Sequence, residues 1–295
     1  MTTAPIVSVI IPAYNDQTGL DYCLDGLKNQ TFPCTDFEII IVDNGSMPAL
    51  HTKHHPDLKT VLIVCNTKGS YAARNAGITV ARGEILALLD ADCKPIAEWL
   101  TQGVDALNNA PSKAIIGGEI YFSPSSNPST TEQYQLLTGF GQRENISTSY
   151  FAATANILVR RESIEEIGFF DERLLSGGDR EWSWRAQQYG FQLIYCPTVL
   201  VHTHPRTTLQ GAIKQTRRVA GGRYQIKQLR LMESVESISR LSPRRSVWEA
   251  THWLLTRPQL SIFQRIKLLG LASLLKLTHT IETLRLRLGT MPERC

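Results

Sequence analysis

The rhythm of the first 110 residues constrains this chain most: short runs of Val, Ile and Leu alternate with polar or amphipathic stretches. "VSVIIPA", "FEIIIVD", "VLIVC" and "EILALLD" are too short for helices, and their apolar residues follow one another directly, as in strands buried on both faces. A helical stretch runs from Ser70 to Arg82, and an amphipathic one from Ile96 to Asn109. The alternation predicts βαβ units, hence an α/β fold with a mostly parallel sheet flanked by helices. Ligands of such sheets bind beyond the carboxyl ends of the strands. Three runs end there in polar, turn-forming residues: "PAYND" from Pro12, "DNGS" from Asp43 and "DADC" from Asp90.

Further along, "SPSSNPSTT" (Ser123 to Thr131) reads as an exposed loop between two lobes. A strand at Ile157 to Val159, a short helix near Ser163 to Ile167, a helix from about Asp179 to Tyr189 and a strand from Phe191 to Tyr195 follow. "VHTHPR", Val201 to Arg206, ends the last strand. From Leu209 the pattern becomes helical, interrupted by Gly221-Gly222, Pro243 and Pro258. The expected division is a catalytic domain over 1–208, with halves of about 1–110 and 111–208, and a helical extension over 209–295.

Charge follows the same division. Residues 209–295 carry 16 Lys and Arg against 5 Asp and Glu, whereas residues 1–208 carry 15 against 22. A basic tail on an acidic body suits an anionic partner such as lipid headgroups, or is a solvated helical surface. Within it, "SIFQRIKLLGLASLLKLTHTIETLRLRL" places Leu268, Leu271, Leu275 and Leu284 among Arg265, Lys276, Arg285 and Arg287. The segment reads either as an amphipathic helix in an anionic membrane interface or as one that packs on the catalytic domain or makes a homodimer. Its longest uncharged run is too short to span a bilayer. The six cysteines are scattered without CxxC spacing, as expected of reduced thiols, and the N-terminus lacks the features of a signal peptide. A cytoplasmic enzyme, peripheral on the inner face of the membrane if the tail binds lipid, is the expectation; a nucleic-acid partner is not.

Asp90-x-Asp92 closes a buried strand with two carboxylates. Alone, such a pair serves a turn or a helix cap, or is organised by a hard divalent cation that takes oxygen ligands. No GxGxxG follows the first strand, which counts against a dinucleotide-binding dehydrogenase, and the Gly-rich basic loop of a sugar nucleotidyltransferase is absent.

Five motifs, in this order, carry a resemblance: "VSVIIPAYN" (7–15), "FEIIIVDNGS" (37–46), "NTKGSYAARNAGI" (66–78), "GEILALLDADCKP" (83–95) and "GFFDERLLSGGDREWSWR" (168–185). Together, over roughly residues 6–206, they resemble the family 2 glycosyltransferases, inverting enzymes of the GT-A fold that use nucleotide-activated sugars. The resemblance implies that Pro12, Ala13, Tyr14 and Asp43 line the nucleotide base pocket; the family usually has two acids at this place, where this chain has Asp43-Asn44. It implies that Asp90, with Ala91 beside it, contacts the donor and that Asp92 binds Mn²⁺ or Mg²⁺ at the diphosphate. Lys68 and Arg74 would face that diphosphate, and His204 or His202 would complete the metal site. The general base is the Asp of a Glu-Asp pair in the family; here Asp179 stands at that place with Gly178 before it, and Glu181 is the alternative. Trp182 and Trp184 would stack on sugars or pack. The implied activity is transfer of a sugar, most simply from a UDP-sugar, to a glycan or lipid-linked acceptor. A binding module that keeps the fold without turnover is the alternative.

Overall fold

The computed structural model describes residues 4–52, 58–229 and 256–291. The chain divides into two compact units, one of Met1–Tyr121 and Gly141–Thr203, the other of Phe122–Phe140 and His204–Cys295. The segment 122–140 therefore groups with the tail.

The first unit is built on one sheet. Its strands are β1 (Val7–Ala13), β2 (Phe37–Asp43), β3 (Thr60–Val64), β4 (Ile85–Leu89), β5 (Cys93–Pro95), β6 (Ala114–Phe122), β7 (Asn156–Arg160) and β8 (Gln192–Thr203), in the order β3-β2-β1-β4-β7-β6-β8-β5. β3, β2, β1 and β4 run parallel, β7 is antiparallel to β4 and β6, and β5 is antiparallel to β8. The sheet is thus mixed. The helices are α1 (Gln17–Lys28), α2 (Ser70–Val80), α3 (Trp99–Asn108), α5 (Gln142–Ser149), α6 (Arg161–Ile167) and α7 (Gly178–Gln188), with α4 (Thr130–Thr138) in the second unit.

Every residue of β1, β2 and β4 is buried, as their unbroken apolar runs require. Ile10, Ile11, Ile39, Ile40, Leu86 and Leu88 form the centre of the core, with Leu20, Leu24 and Leu27 from α1. α2 lies close on β1 because Gly77 has no side chain; a Cβ there would stand 2.6 Å from Ile10 Cγ2. Buried polar groups tie the strands together where apolar packing alone would leave them unpaired. Glu38 accepts from Ser8 Oγ (2.7 Å) and from the Arg82 amide and guanidinium. Asn156 accepts from Trp99 Nε1 (2.9 Å) and donates to the carbonyls of Glu119 and Val199, linking α3, β7, β6 and β8.

In the second unit, α9 (Ile262–Arg287) packs against both α8 (Leu209–Gln228) and α4. α8 runs unbroken through Gly221-Gly222, where the sequence predicts an interruption. Ala212, Ala220, Gly221 and Gly222 are all buried, so the glycine pair lies inside a packed helix and not at a break. Pro243 lies outside the described residues. α9 opens on a capping box formed by Ser261 and Gln264. Its inward face carries Leu268, Leu271 and Leu286, with Glu282 bound to Arg285. Of the two readings of this segment, a membrane face or packing, Leu268 and Leu271 follow the second and lie on this packed side. The opposite face exposes Ile262, Phe263, Ile266, Leu274, Leu277, Ile281, Leu284 and Leu288 in one stripe with helical spacing. No helix among the described residues is long and apolar enough to cross a membrane.

Candidate active site

The parallel strands β2, β1 and β4 bring "DNGS", "PAYN" and "DADC" to one edge of the sheet, and the β1–β2 register sets Ala13 beside Asp43. The first two loops brace each other. Asn15, at φ 52°, donates its amide to Ser46 Oγ (2.8 Å) and accepts from the Met47 amide (2.8 Å), while the Asn44 amide donates to the Ala13 carbonyl (2.9 Å). Pro12 and Ala13 are buried, and Tyr14 is exposed beside them.

Asp43 is 3 % exposed and works within its own loop: Oδ1 accepts from the Ser46 amide (2.8 Å) and Oδ2 from the Leu50 amide (3.1 Å). Burial alone would raise its pKa, but these bonds and those of the Ser46 hydroxyl and Gly45 amide hold the carboxyl below its ordinary value. Its ionised form therefore shapes the turn, leaving the remaining lone pairs for a ligand.

Asn44 fixes the next loop. Its Nδ2 donates to the carbonyls of Cys65 (3.0 Å) and Thr67 (2.7 Å), and its Oδ1 accepts from the Gly69 amide (2.8 Å). A second acid at 44 could not donate both bonds. Asn44, where a paired-acid pattern would have a second acid, thus ties this loop down, and the same loop carries Lys68, exposed, to the start of α2.

α2 places Arg74 beside Asp90. The guanidinium is 3 % exposed and ion-paired with the Asp90 carboxylate, and its buried Nε has no hydrogen-bond partner among the described residues. Asp90 and buried Ala91 precede Asp92, which is exposed at the start of β5. Among the described residues, no three His, Cys, Asp or Glu side chains converge to hold an ion. The exposed Asp92 oxygens still suit a hard cation that draws its other ligands from a diphosphate and water.

Asp179 sits in the first turn of α7, and its Oδ1 accepts from the Arg180 amide (2.9 Å) and the Tyr71 hydroxyl (3.4 Å). Loss of hydration raises its pKa and Asp90 adds to the rise, against the Arg180 amide and the charges of Arg74 and Arg180. A raised carboxyl is suited to accept a proton. Glu181 is engaged otherwise: it is buried and doubly bound by Arg185 (2.8 and 3.0 Å), which also donates to the carbonyls of Ile167 and Phe169. Glu181, the alternative base, thus has its charge engaged in closing the turn before α7. Trp182 and Trp184 are buried, with indole N–H bonds to the carbonyls of Gly168 and Ser149, so both pack.

His202 lies on β8 opposite Lys94, its ring edge-on to Tyr121 at 5.5 Å. His204 starts the second unit, where Glu132 lies below its ordinary pKa through the Ser125 amide and hydroxyl, with His204 adding to the effect.

The family described as Glycosyl transferase family 2 matches residues 8–168. The glycosyltransferase AglE of Haloferax volcanii is 36% identical over 230 residues, which cover 76% of this chain and 75% of AglE. The chain belongs to glycosyl transferase family 2. Another relative, the amylovoran biosynthesis glycosyltransferase AmsB of Erwinia amylovora, is 29% identical over 67% of this chain and 69% of its own. The mannosyltransferase PcManGT of Pyrobaculum calidifontis, solved with GDP-Man and Mn²⁺, superposes with a TM-score of 0.60 over 96% of this chain and 88% of its own. At 18% identity that likeness shows the GT-A fold alone. This family 2 chain is a glycosyltransferase whose matched region covers the three strand-end loops, Arg74 and both carboxylates of "DAD". α7 with Asp179 follows the matched residues.

Proposed function

We propose that this enzyme transfers a sugar from a nucleotide-diphosphate sugar, a UDP-sugar foremost, to an acceptor hydroxyl with inversion at the anomeric carbon. The observation that carries the reading is Asp179: a carboxyl with raised proton affinity in the first turn of α7, close enough to Arg74 and Asp90 to feel both charges. Asp179 takes the proton of the acceptor hydroxyl as it attacks the face opposite the diphosphate. Pro12, Ala13, Tyr14 and Asp43 hold the base, Asp90 and Ala91 the sugar nucleotide, and Lys68 and Arg74 balance the diphosphate charge. Asp92 would hold Mn²⁺ or Mg²⁺, with His204 or His202 as a further ligand. Such an ion, when bound, stabilises the negative charge that builds on the leaving diphosphate. The GDP-Man and Mn²⁺ complex of PcManGT supports this class of donor and cofactor.

The acceptor is a glycan or a lipid-linked acceptor at the cytoplasmic face of the membrane, and the catalytic part extends to about residue 208. The exposed stripe of α9, edged by Lys267, Lys276 and Arg287, supports peripheral docking on anionic lipid; the one acid of that helix, Glu282, is buried under Arg285. A panel of nucleotide sugars tests the donor reading. With Mn²⁺ one of them should raise the melting temperature and be turned over, and EDTA should abolish turnover. Full activity in EDTA would remove the metal from the account.

A further inference from the structure

Gly178 occupies the position where the resemblance leads one to expect a glutamate, and the structure fills the vacated space. A Cβ at 178 would stand 2.7 Å from Cε2 and 2.8 Å from Cδ2 and Cζ of Tyr71, so that ring and any side chain at 178 exclude each other. The Tyr71 ring is itself wedged. It is 6 % exposed, stacks on Phe170 at 5.9 Å, and has the Arg74 guanidinium over it at 5.6 Å; Phe170 in turn lies 5.1 Å from Trp182 of α7. With the ring fixed on all these sides, its hydroxyl points at Asp179 Oδ1.

We propose that Tyr71 is the positioning residue of Asp179, a role opened to it by the absence of a side chain at 178. Oδ1 receives both the Arg180 amide and the Tyr71 hydroxyl, whereas Oδ2 accepts no hydrogen bond among the described residues. Two donors on one oxygen orient the carboxylate and leave the other oxygen to receive the proton. Tyr71 also couples this carboxylate to the donor side, because Arg74 covers its ring and ion-pairs with Asp90. The 3.4 Å bond is long, as such bonds often are before the substrates that tighten them are bound. The inference rests on Asp179 as the general base.

Tyr71→Phe keeps the ring and its packing and removes only the hydroxyl. Turnover should fall about tenfold, the low end for a hydrogen bond to a charged group, with the KM for the donor unchanged within about twofold. The groups facing Asp179 are Tyr71 and Arg74 of α2, Arg180 of α7, and Asp90 after β4. Without the hydroxyl the ionised carboxylate loses a donor, so the acidic limb of the pH–turnover profile should move to higher pH. Gly178→Ala, which displaces the ring, should shift kcat and the limb in the same direction. Asp179→Asn with Tyr71→Phe should be no slower than Asp179→Asn alone. A Tyr71→Phe enzyme with unchanged turnover and an unmoved acidic limb overturns the positioning role while leaving Asp179 as base; a fully active Asp179→Asn enzyme removes the base itself.

Discussion

Asn44→Asp restores a second acid after Asp43 and should destabilise the protein, for reasons that can be counted. Asn44 is 5 % exposed, donates two bonds at 3.0 and 2.7 Å to the carbonyls of Cys65 and Thr67, and accepts one from Gly69. An ionised aspartate keeps the accepted bond and loses both donated ones. It also sets a carboxylate oxygen against two carbonyl oxygens and beside the buried Asp43 carboxylate. A net hydrogen bond contributes about 1 kcal/mol and a buried group left unpaired costs about 1–3. The loss should be about 2–3 kcal/mol after partial relaxation, or roughly 4–12 °C in melting temperature for a cooperative unit of 150–250 residues. Urea denaturation followed by circular dichroism at neutral pH gives the difference directly. Asn44→Ser, which leaves no new charge, should fall between the two. An Asn44→Asp protein within about 0.5 kcal/mol of the parent would refute the claim that Asn44 is required to lock this loop.

Glu181→Gln removes one charge from the Arg185 pair and should cost about 1–3 kcal/mol of stability, with turnover of the folded enzyme unchanged within about twofold; a hundredfold loss of turnover in a fully folded variant would return the base role to Glu181. Glu38 has its pKa raised by burial, but the bonds from Ser8 and Arg82 prevail and hold it below its ordinary value. Its stabilisation is therefore complete above about pH 4.3, the unfolded glutamate value, and is lost as pH falls through the lower folded value; Glu38→Gln should flatten that acid dependence in denaturation midpoints, and an identical slope would contradict it. Co-sedimentation with vesicles containing anionic lipid should show binding that salt weakens and that Leu277→Asp with Ile281→Asp abolishes, neutral vesicles binding less. Failure of the intact protein to bind, or a dimer that the same substitutions dissociate, would assign the α9 stripe to another partner.

The parallel half of the sheet was legible because β1, β2 and β4 are buried on both faces and carry unbroken apolar runs; β3 carries such a run too, but as the edge strand it leaves Val61, Leu62 and Val64 exposed, against the expectation of burial on both faces. β6 is not legible as a strand, since "AIIGGEIYF" contains two glycines that weaken the pattern; Gly118 is there because a Cβ would meet the Val199 carbonyl and the Asn156 side chain. α5, "QRENISTS", has almost no apolar face and gives no helical period. The glycine pair in α8 differs in the opposite sense: propensity marks it as a break, while its burial in the second unit keeps the helix continuous. At the candidate site, residue identities at the strand ends pointed to three loops that the parallel strands bring to one edge, but not to the bonds among them. Asn44 and Tyr71 carried no signal of their own: one was visible only as a departure from a paired-acid pattern, the other as one residue of "SYAARN".

The most direct measurement is turnover and donor affinity of Asp179→Asn, compared with the parent enzyme on the same nucleotide sugar and acceptor. The amide preserves the shape of the side chain and cannot take the proton, so turnover should fall about 10²- to 10⁴-fold while the dissociation constant for the donor changes little. Turnover equal to that of the parent, with the variant folded and the donor bound, would contradict the assignment of Asp179 as the base and with it the proposed mechanism.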